Sequence, residues 1–341
     1  MTRSTEAATQ VPRLGVFQGR DAIKDLLNPD NNPPLPLVEL PDRLNPLAAN
    51  GVRLFAKLMY LLPLLSIKSL PARQMLLAAE ATGELEGVDA LVEASSGNTA
   101  FSLGILGELF GMRRVVALVP WDIAPGKLDL LRLCGVEPRL IRDAPGQPSA
   151  IGQAREAGRS AGWFSPSQYE NDANPAAFEK WIAPQIWAQT EGRLTVFATG
   201  LGTTGTLVGA SRFFRRQKSH RPVAIVGVIC GPNSAVPGVR SEARLREITL
   251  PWRESADAII EAETRESFKK SLELCRAGLM GGPSSGFALV GLLKFLQAKE
   301  AAGDLDSLRN ADGEVLATFV CADTPLPYLD KYSTHLNPSD F

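Results

Sequence analysis

Histidine is nearly missing from this 341-residue chain, which holds only His220 and His335 beside four scattered cysteines, Cys134, Cys230, Cys275 and Cys321. No CxxC pair and no Cys/His cluster exists, so nothing has the ligand spacing of a zinc site. Four reduced thiols in or near cores is the simpler reading, and it fits a cytoplasmic protein. Charge of one sign is also lacking: 36 basic residues stand against 37 acidic ones, for a net charge of −1. That balance gives no global electrostatic case for nucleic acid or an anionic membrane as partner. The densest basic run, residues 212–221, closes a predicted helix, where cations are favoured without any ligand. No apolar stretch approaches the ~20 residues of a membrane span. The nearest approach, residues 58–65, is far shorter, and residues 1–12 lack the apolar core of a secretion signal.

What is present describes a globular α/β protein. Hydrophobic residues make up 45% and mean hydropathy is −0.02, and the length calls for two domains of roughly 150–200 residues. Residues 1–35 read as an irregular lead-in ending in Asn28-Pro29-Asp30-Asn31-Asn32-Pro33-Pro34. Strands are predicted at 53–58, 90–93, 115–119, 139–141, 194–198, 223–229 and 315–320. Helices are predicted at 71–81, 99–110, 127–133, 205–214, 265–277 and 285–299, and the polar residues 165–174 read as a crossing between domains. The β–α alternation predicts mostly parallel, helix-covered sheets.

Four short segments carry the chemistry. Lys68, in Ser66-Ile67-Lys68, follows a leucine-rich run whose burial would disfavour the ammonium form and suit a Schiff-base nucleophile. A surface lysine at a helix start is the plainer alternative. Ser95-Ser96-Gly97-Asn98-Thr99 lies between a strand and a helix, where free N–H groups and hydroxyls suit a carboxylate; ordinary capping would use the same residues. Gly200-Leu201-Gly202-Thr203-Thr204-Gly205-Thr206 has the GxGxxG spacing. The dinucleotide reading wants an acidic residue after the next strand, and Ile229-Cys230-Gly231 offers none. A single phosphate fits better, with a plain strand–helix turn as the alternative. Gly282-Pro283-Ser284-Ser285-Gly286 places a hydroxyl at a helix start, for capping or for a ring nitrogen.

In this order, the segments resemble the cysteine synthase/cystathionine β-synthase family, the fold-type II pyridoxal phosphate enzymes. The similarity runs from about Pro36 to Tyr332 and includes Gln168-Tyr169-Glu170-Asn171-Asp172-Ala173-Asn174-Pro175 and Tyr328-Leu329-Asp330-Lys331-Tyr332. It implies pyridoxal 5′-phosphate as cofactor, a tryptophan synthase β-like architecture and a homodimer. The smaller N-terminal domain would cover residues 36–168, its first strand free to cross over, and the larger C-terminal domain 169–341. The active site would lie in the cleft between them. Lys68 would be the Schiff-base lysine and proton carrier, and Asn98 would touch the cofactor's 3′ oxygen. Ser95, Ser96, Gly97, Thr99 and Gln168 would hold the substrate carboxylate. Gly202, Thr203, Thr204, Gly205 and Thr206 would bind the phosphate, with Ser284 on the ring nitrogen and Ser285 as the near alternative.

The implied reaction is β-replacement on an O-activated L-serine, such as O-acetylserine or O-phosphoserine, through an aminoacrylate and with a small nucleophile. β-Elimination or deamination, or a catalytically altered binding or assembly protein, are the alternatives. Three departures from the family pattern stand out. Tyr60-Leu61-Leu62-Pro63-Leu64-Leu65 is apolar where a polar Asn-Pro turn is usual. Thr204 takes a place where glycine is common, and would be strained at positive φ. Residues 236–244 carry Arg240 and Arg244 in place of a glycine-rich segment. Guanidinium groups there suit an anionic leaving group or a carboxylate-bearing nucleophile, although an exposed loop would look the same.

Overall fold

The computed structural model describes residues 15–142 and 146–341, so residues 1–14 of the predicted lead-in lie outside the described residues. The chain divides into two units, Met1–Pro34 and Leu35–Phe341. The described part of the first carries one short helix, Ala22–Leu26. The second carries ten strands: β1 (Leu37–Glu39), β2 (Val52–Leu58), β3 (Ala90–Ala94), β4 (Arg114–Pro120), β5 (Val136–Ile141), β6 (Trp163–Phe164), β7 (Val196–Gly200), β8 (Ala224–Cys230), β9 (Ala258–Ala262) and β10 (Val315–Cys321).

These strands form two sheets. The larger has the order β1-β2-β10-β7-β8-β9 and the smaller β5-β4-β3-β6. Every pairing is parallel except β1 against β2. Strand β2, early in the chain, lies beside the last strand, with Ala317 opposite Leu54 on one side and Val196 on the other. Strands β3 and β10 are buried at every position. Strands buried along their whole length, apolar but for Glu93 and Thr318, mark a parallel sheet covered on both faces. Each Leu, Val or Phe they bury contributes about 1.5–3 kcal/mol.

The long helix Pro283–Ala301 packs between the large sheet and the helix Thr264–Arg276. Its glycines permit the close approach, since a Cβ on Gly286 would stand 2.1 Å from the Ser267 carbonyl oxygen. Among the described residues seven α-helices fall outside the predicted set: the short Ala22–Leu26, Glu242–Leu245, Trp252–Ser255 and Leu329–His335, and also Ala150–Ala157, Ala173–Trp181 and Ala183–Gln189. The last two contain prolines that read as breakers, yet both prolines sit in the first turn, where no N–H is needed. The helix Ala173–Trp181 therefore begins inside the stretch read as a crossing. The short edge strands β1 and β9 and the two-residue β6 carried too little period to be read.

The basic run after Gly205–Phe214 is paired. Arg212 meets Asp172 at 2.7 Å, Arg215 meets Asp257 at 3.2 Å and Arg216 meets Glu179 at 2.5 Å. Neighbouring carboxylates account for it more directly than the helix dipole. Among the described residues, no helix is long and apolar enough to cross a membrane.

Candidate active site

Lys68 is delivered by a stitched connection. After β2 the chain makes a single turn, Met59–Leu61, and folds back through Leu65, whose N–H donates to the Leu62 carbonyl at 2.7 Å. Ser66 then bridges to Asp323, and the Ile67 N–H donates to the Ala322 carbonyl at 2.8 Å. Lys68 follows as the residue before the helix Ser69–Ala81. Burial lowers its pKa to about 8, with Asp323 opposing that shift and Arg240 adding to it. The apolar run supplies only part of the burial: Leu62, Leu64 and Ile67 are buried, whereas Leu61 and Leu65 face outward.

The polar turn sits at the end of β3. Gly97 caps the helix Asn98–Leu109, and the Ser95 hydroxyl accepts from the Ala100 N–H at 3.3 Å. Thr99 donates its hydroxyl to Gln168 Oε1 at 2.7 Å, which joins two predicted carboxylate ligands across 69 residues of sequence. Asn98 Nδ2 donates to Asp323 Oδ2 at 2.6 Å. The Tyr328 hydroxyl donates to the same oxygen at 2.7 Å, and Ser284 Oγ to Asp323 Oδ1 at 3.4 Å. Burial pushes the Asp323 carboxyl up, against these donors and the charge of Lys68.

The Gly/Thr loop leaves β7 and opens the helix Gly205–Phe214. Thr204 is its N-cap at φ +68°, so the strain that the sequence made conditional is present. Leu65 and Ser167 are also non-glycine residues at positive φ, each within three positions of a predicted site residue. Backbone strain of this kind gathers at functional sites. Asn174 Nδ2 ties the loop down, donating to Thr203 Oγ1 at 3.0 Å and to the Gln168 carbonyl at 2.7 Å. A Cβ on Gly205 would stand 2.1 Å from Asn174 Oδ1, and one on Gly202 would stand 2.3 Å from the Gly238 carbonyl.

These elements enclose a cavity of about 240 Å³ lined by Lys68, the Ser95–Thr99 turn, Gln168, Gly202, Thr203 and Arg240. Past Lys68 and Asn98 it narrows to a recess bounded by Thr204, Thr206, Ser284 and Asp323. Gly205, predicted to bind phosphate, lines neither the cavity nor the recess. Ser285 is fully buried against the Cys321 thiol and lines neither space, so of the two serines only Ser284 reaches the site. The guanidinium of Arg240 stacks 4.6 Å from the Tyr169 ring centroid.

Residues 30–308 match the family model described as pyridoxal-phosphate dependent enzyme. The chain belongs to that family. Within the pyridoxal-phosphate dependent enzymes it is 36% identical over 272 residues to cysteine synthase B of Escherichia coli, covering 78% of this chain and 86% of that protein. To cysteine synthase B of Pseudomonas aeruginosa it is 31% identical, over 70% of this chain and 79% of the other. Among solved structures it is similar to O-ureido-L-serine synthase, with a TM-score of 0.76 and 23% identity over 92% of this chain and 96% of that one. The cysteine synthase of Entamoeba histolytica gives a TM-score of 0.77 at 23% identity, over 97% and 95%. These likenesses show the shared fold-type II α/β architecture.

The recess suits the family's cofactor on its own chemistry. Thr204 Oγ1 is buried there with no hydrogen-bond partner, beside the N-terminus of a ten-residue helix. A phosphate supplies the acceptor that such a hydroxyl and helix end lack. Lys68 stands at the recess mouth, partly uncharged near neutral pH, and its Nζ makes no hydrogen bond among the described residues.

Several site residues escaped the sequence reading. Asp323 lies two residues past the end of β10, at the carboxyl edge of a parallel sheet where ligands bind; that position was a usable signal. Tyr169 lay in a segment already singled out, without a role of its own. Lys127 had no signal, since it sits in an ordinary helix, Pro125–Leu133, and only the fold turns it to the cavity.

Proposed function

We propose that this chain catalyses β-replacement on an O-activated L-serine. One observation carries the reading: the cavity at Lys68 joins a carboxylate-binding turn to three further cationic side chains, Lys127, Arg240 and Arg244, and no carboxylate lines it. Bound pyridoxal phosphate supplies the electron sink that labilises the substrate's Cα proton and its β-substituent. Thr203, Thr204 and Thr206 hold the phosphate, Ser284 meets the ring nitrogen and Asn98 meets the 3′ oxygen. Ser95, Ser96, Thr99 and Gln168 orient the substrate carboxylate, and Gly97 leaves the turn open. The Lys68 amine moves the proton at Cα, which a pKa near 8 permits at neutral pH.

Arg240 and its neighbours favour a donor whose activating group leaves as an anion, since a charge-assisted hydrogen bond contributes about 1.5–3 kcal/mol. O-Phosphoserine and O-acetylserine are the two to compare. The assembly proposed is a homodimer in the cytoplasm; the family likeness supports the dimer, and cysteines that are all free among the described residues support the compartment. The substrate would lie between the two sheets, the smaller built within residues 36–168 and the larger mainly from 169–341, with β1 and β2 crossing over to the larger.

The test is a spectral titration of the pyridoxal-phosphate-loaded protein with each donor, followed by mass analysis of the product with and without an added thiol. A β-substituted alanine is expected, together with borohydride attachment of the cofactor to the Lys68 peptide. Pyruvate and ammonia whether or not thiol is present would establish elimination instead. An unmodified Lys68 in saturated protein would sink the reading.

A further inference from the structure

Glu93 is a buried carboxylate that none of the chemistry above uses. It sits on β3, 2% exposed, and does not line the cavity that holds Lys127, Arg240 and Arg244. No cation accompanies it; three backbone N–H groups do. Glu93 Oε1 accepts from the Ala94 N–H at 2.9 Å and Oε2 from the Gln168 N–H at 3.2 Å, while the Ser167 N–H faces the same group. Ser167 holds φ +55°. Successive N–H groups around a left-handed residue form a concavity for an anion, and here the anion is a side chain of the protein itself.

The two ends of this arrangement are the two walls of the carboxylate pocket. Ala94 leads into the Ser95–Thr99 turn. Gln168 carries the side chain that accepts from Thr99. We infer that Glu93 is the positioning residue of the substrate-carboxylate site, clamping the Ser95–Thr99 turn and the Ser167–Gln168 turn to one another through their backbone N–H groups. The inference rests on the proposed reading of Thr99 and Gln168 as carboxylate ligands.

Only the ionised carboxylate accepts on both oxygens. Protonation converts one of them to a donor facing an N–H, which releases one wall. Burial pushes the Glu93 pKa up to about 7, so this release falls in the neutral range. The other titratable group facing it is Tyr169, whose hydroxyl donates to the Ala94 carbonyl; burial raises its pKa, keeping it neutral there, and Arg240 covers its ring.

The experiment uses L-alanine, which has the carboxylate but no leaving group, and measures its binding to the cofactor-loaded enzyme by calorimetry. Glu93→Gln should weaken alanine binding about tenfold to a hundredfold, the scale of losing a charged hydrogen bond. With the donor substrate the same variant should raise KM while kcat stays within about twofold. In the wild type, alanine binding should weaken as pH falls through 7 more steeply than loss of the proton from alanine's own ammonium requires, and Glu93→Gln should remove that excess. Should the variant fail to fold, the excess in the wild type decides, and its absence overturns the inference. An alanine affinity flat from pH 8 to 6, or unchanged in Glu93→Gln, overturns the inference, as does a wild type that binds no alanine. If instead no O-activated serine is turned over while alanine responds as expected, the reaction is misread and Glu93 keeps its role.

Discussion

Lys57 is buried and Lys68, eleven positions on, is half-buried; desolvation lowers the pKa of both, to about 7 and about 8. Their surroundings differ. Lys57, on β2, donates to the Leu35 carbonyl at 2.6 Å, to Gln189 Oε1 at 2.8 Å and to Gln185 Oε1 at 3.0 Å. All three donor positions of an ammonium are filled by neutral acceptors, so Lys57 joins its strand to the helix Ala183–Gln189. Lys68 has no such cage and opens into the cavity. A depressed pKa therefore does not distinguish a reactive lysine from a structural one. An unsatisfied head group facing space does.

The sharpest way to break that contrast is Lys68→Ala. It should lower β-replacement by at least about 10³-fold, the scale of losing a covalent catalytic group, and borohydride should leave no cofactor on the protein. Thermal unfolding should stay near that of the wild type.

Lys57→Met should do the reverse. It removes three hydrogen bonds but leaves only Gln189 Oε1 without a protein donor, since the Leu35 carbonyl keeps Gln189 Nε2 and Gln185 Oε1 keeps the Leu35 N–H. The cost should be about 1–2 kcal/mol of stability, read by denaturant melts at pH 7, while kcat of the folded enzyme holds. The lowered folded pKa also fixes a sign. Between about 7 and 10.5 the unfolded chain binds more protons at Lys57 than the folded one, so stability rises with pH through that window. Lys57→Met should flatten the rise. An unchanged slope would show that Lys57 keeps its charge in the fold.

The smallest effect belongs to the strained entry to Lys68. Leu65 is 52% exposed at φ +54°, so Leu65→Gly relieves strain without opening a cavity. The relief is largely offset by the added freedom of the unfolded chain, for a net gain of about 0.5 kcal/mol. Differential scanning calorimetry should show Tm rising slightly, and a fall would mean that the Leu65 side chain supports the turn.

The parts of the fold legible in sequence were those with a strong local period or a firm stop. The predicted helix at 205–214 matches Gly205–Phe214, because glycines open it and the arginines after Phe214 leave the apolar face. Strands β3 and β10 announced themselves as short apolar runs. The helices Ala173–Trp181 and Ala183–Gln189 did not, because a first-turn proline and a mid-helix proline look alike until the helix start is known. At the site, Lys68, the Ser95–Thr99 turn and the Gly/Thr loop were visible as motifs. Asp323 was not, since its meaning comes from Asn98, Ser284 and Tyr328, two of them far away in sequence.

By itself, then, the sequence determined the class of the protein: alternating strands and helices, the family and its cofactor. Those properties reside in local chemistry and in the order of segments, which survive without coordinates. Tertiary structure alone decided which of two desolvated lysines is free, which serine reaches the recess and which carboxylate spans the pocket walls. Each of these depends on the partners that long-range packing brings within hydrogen-bond distance, and no local pattern encodes them.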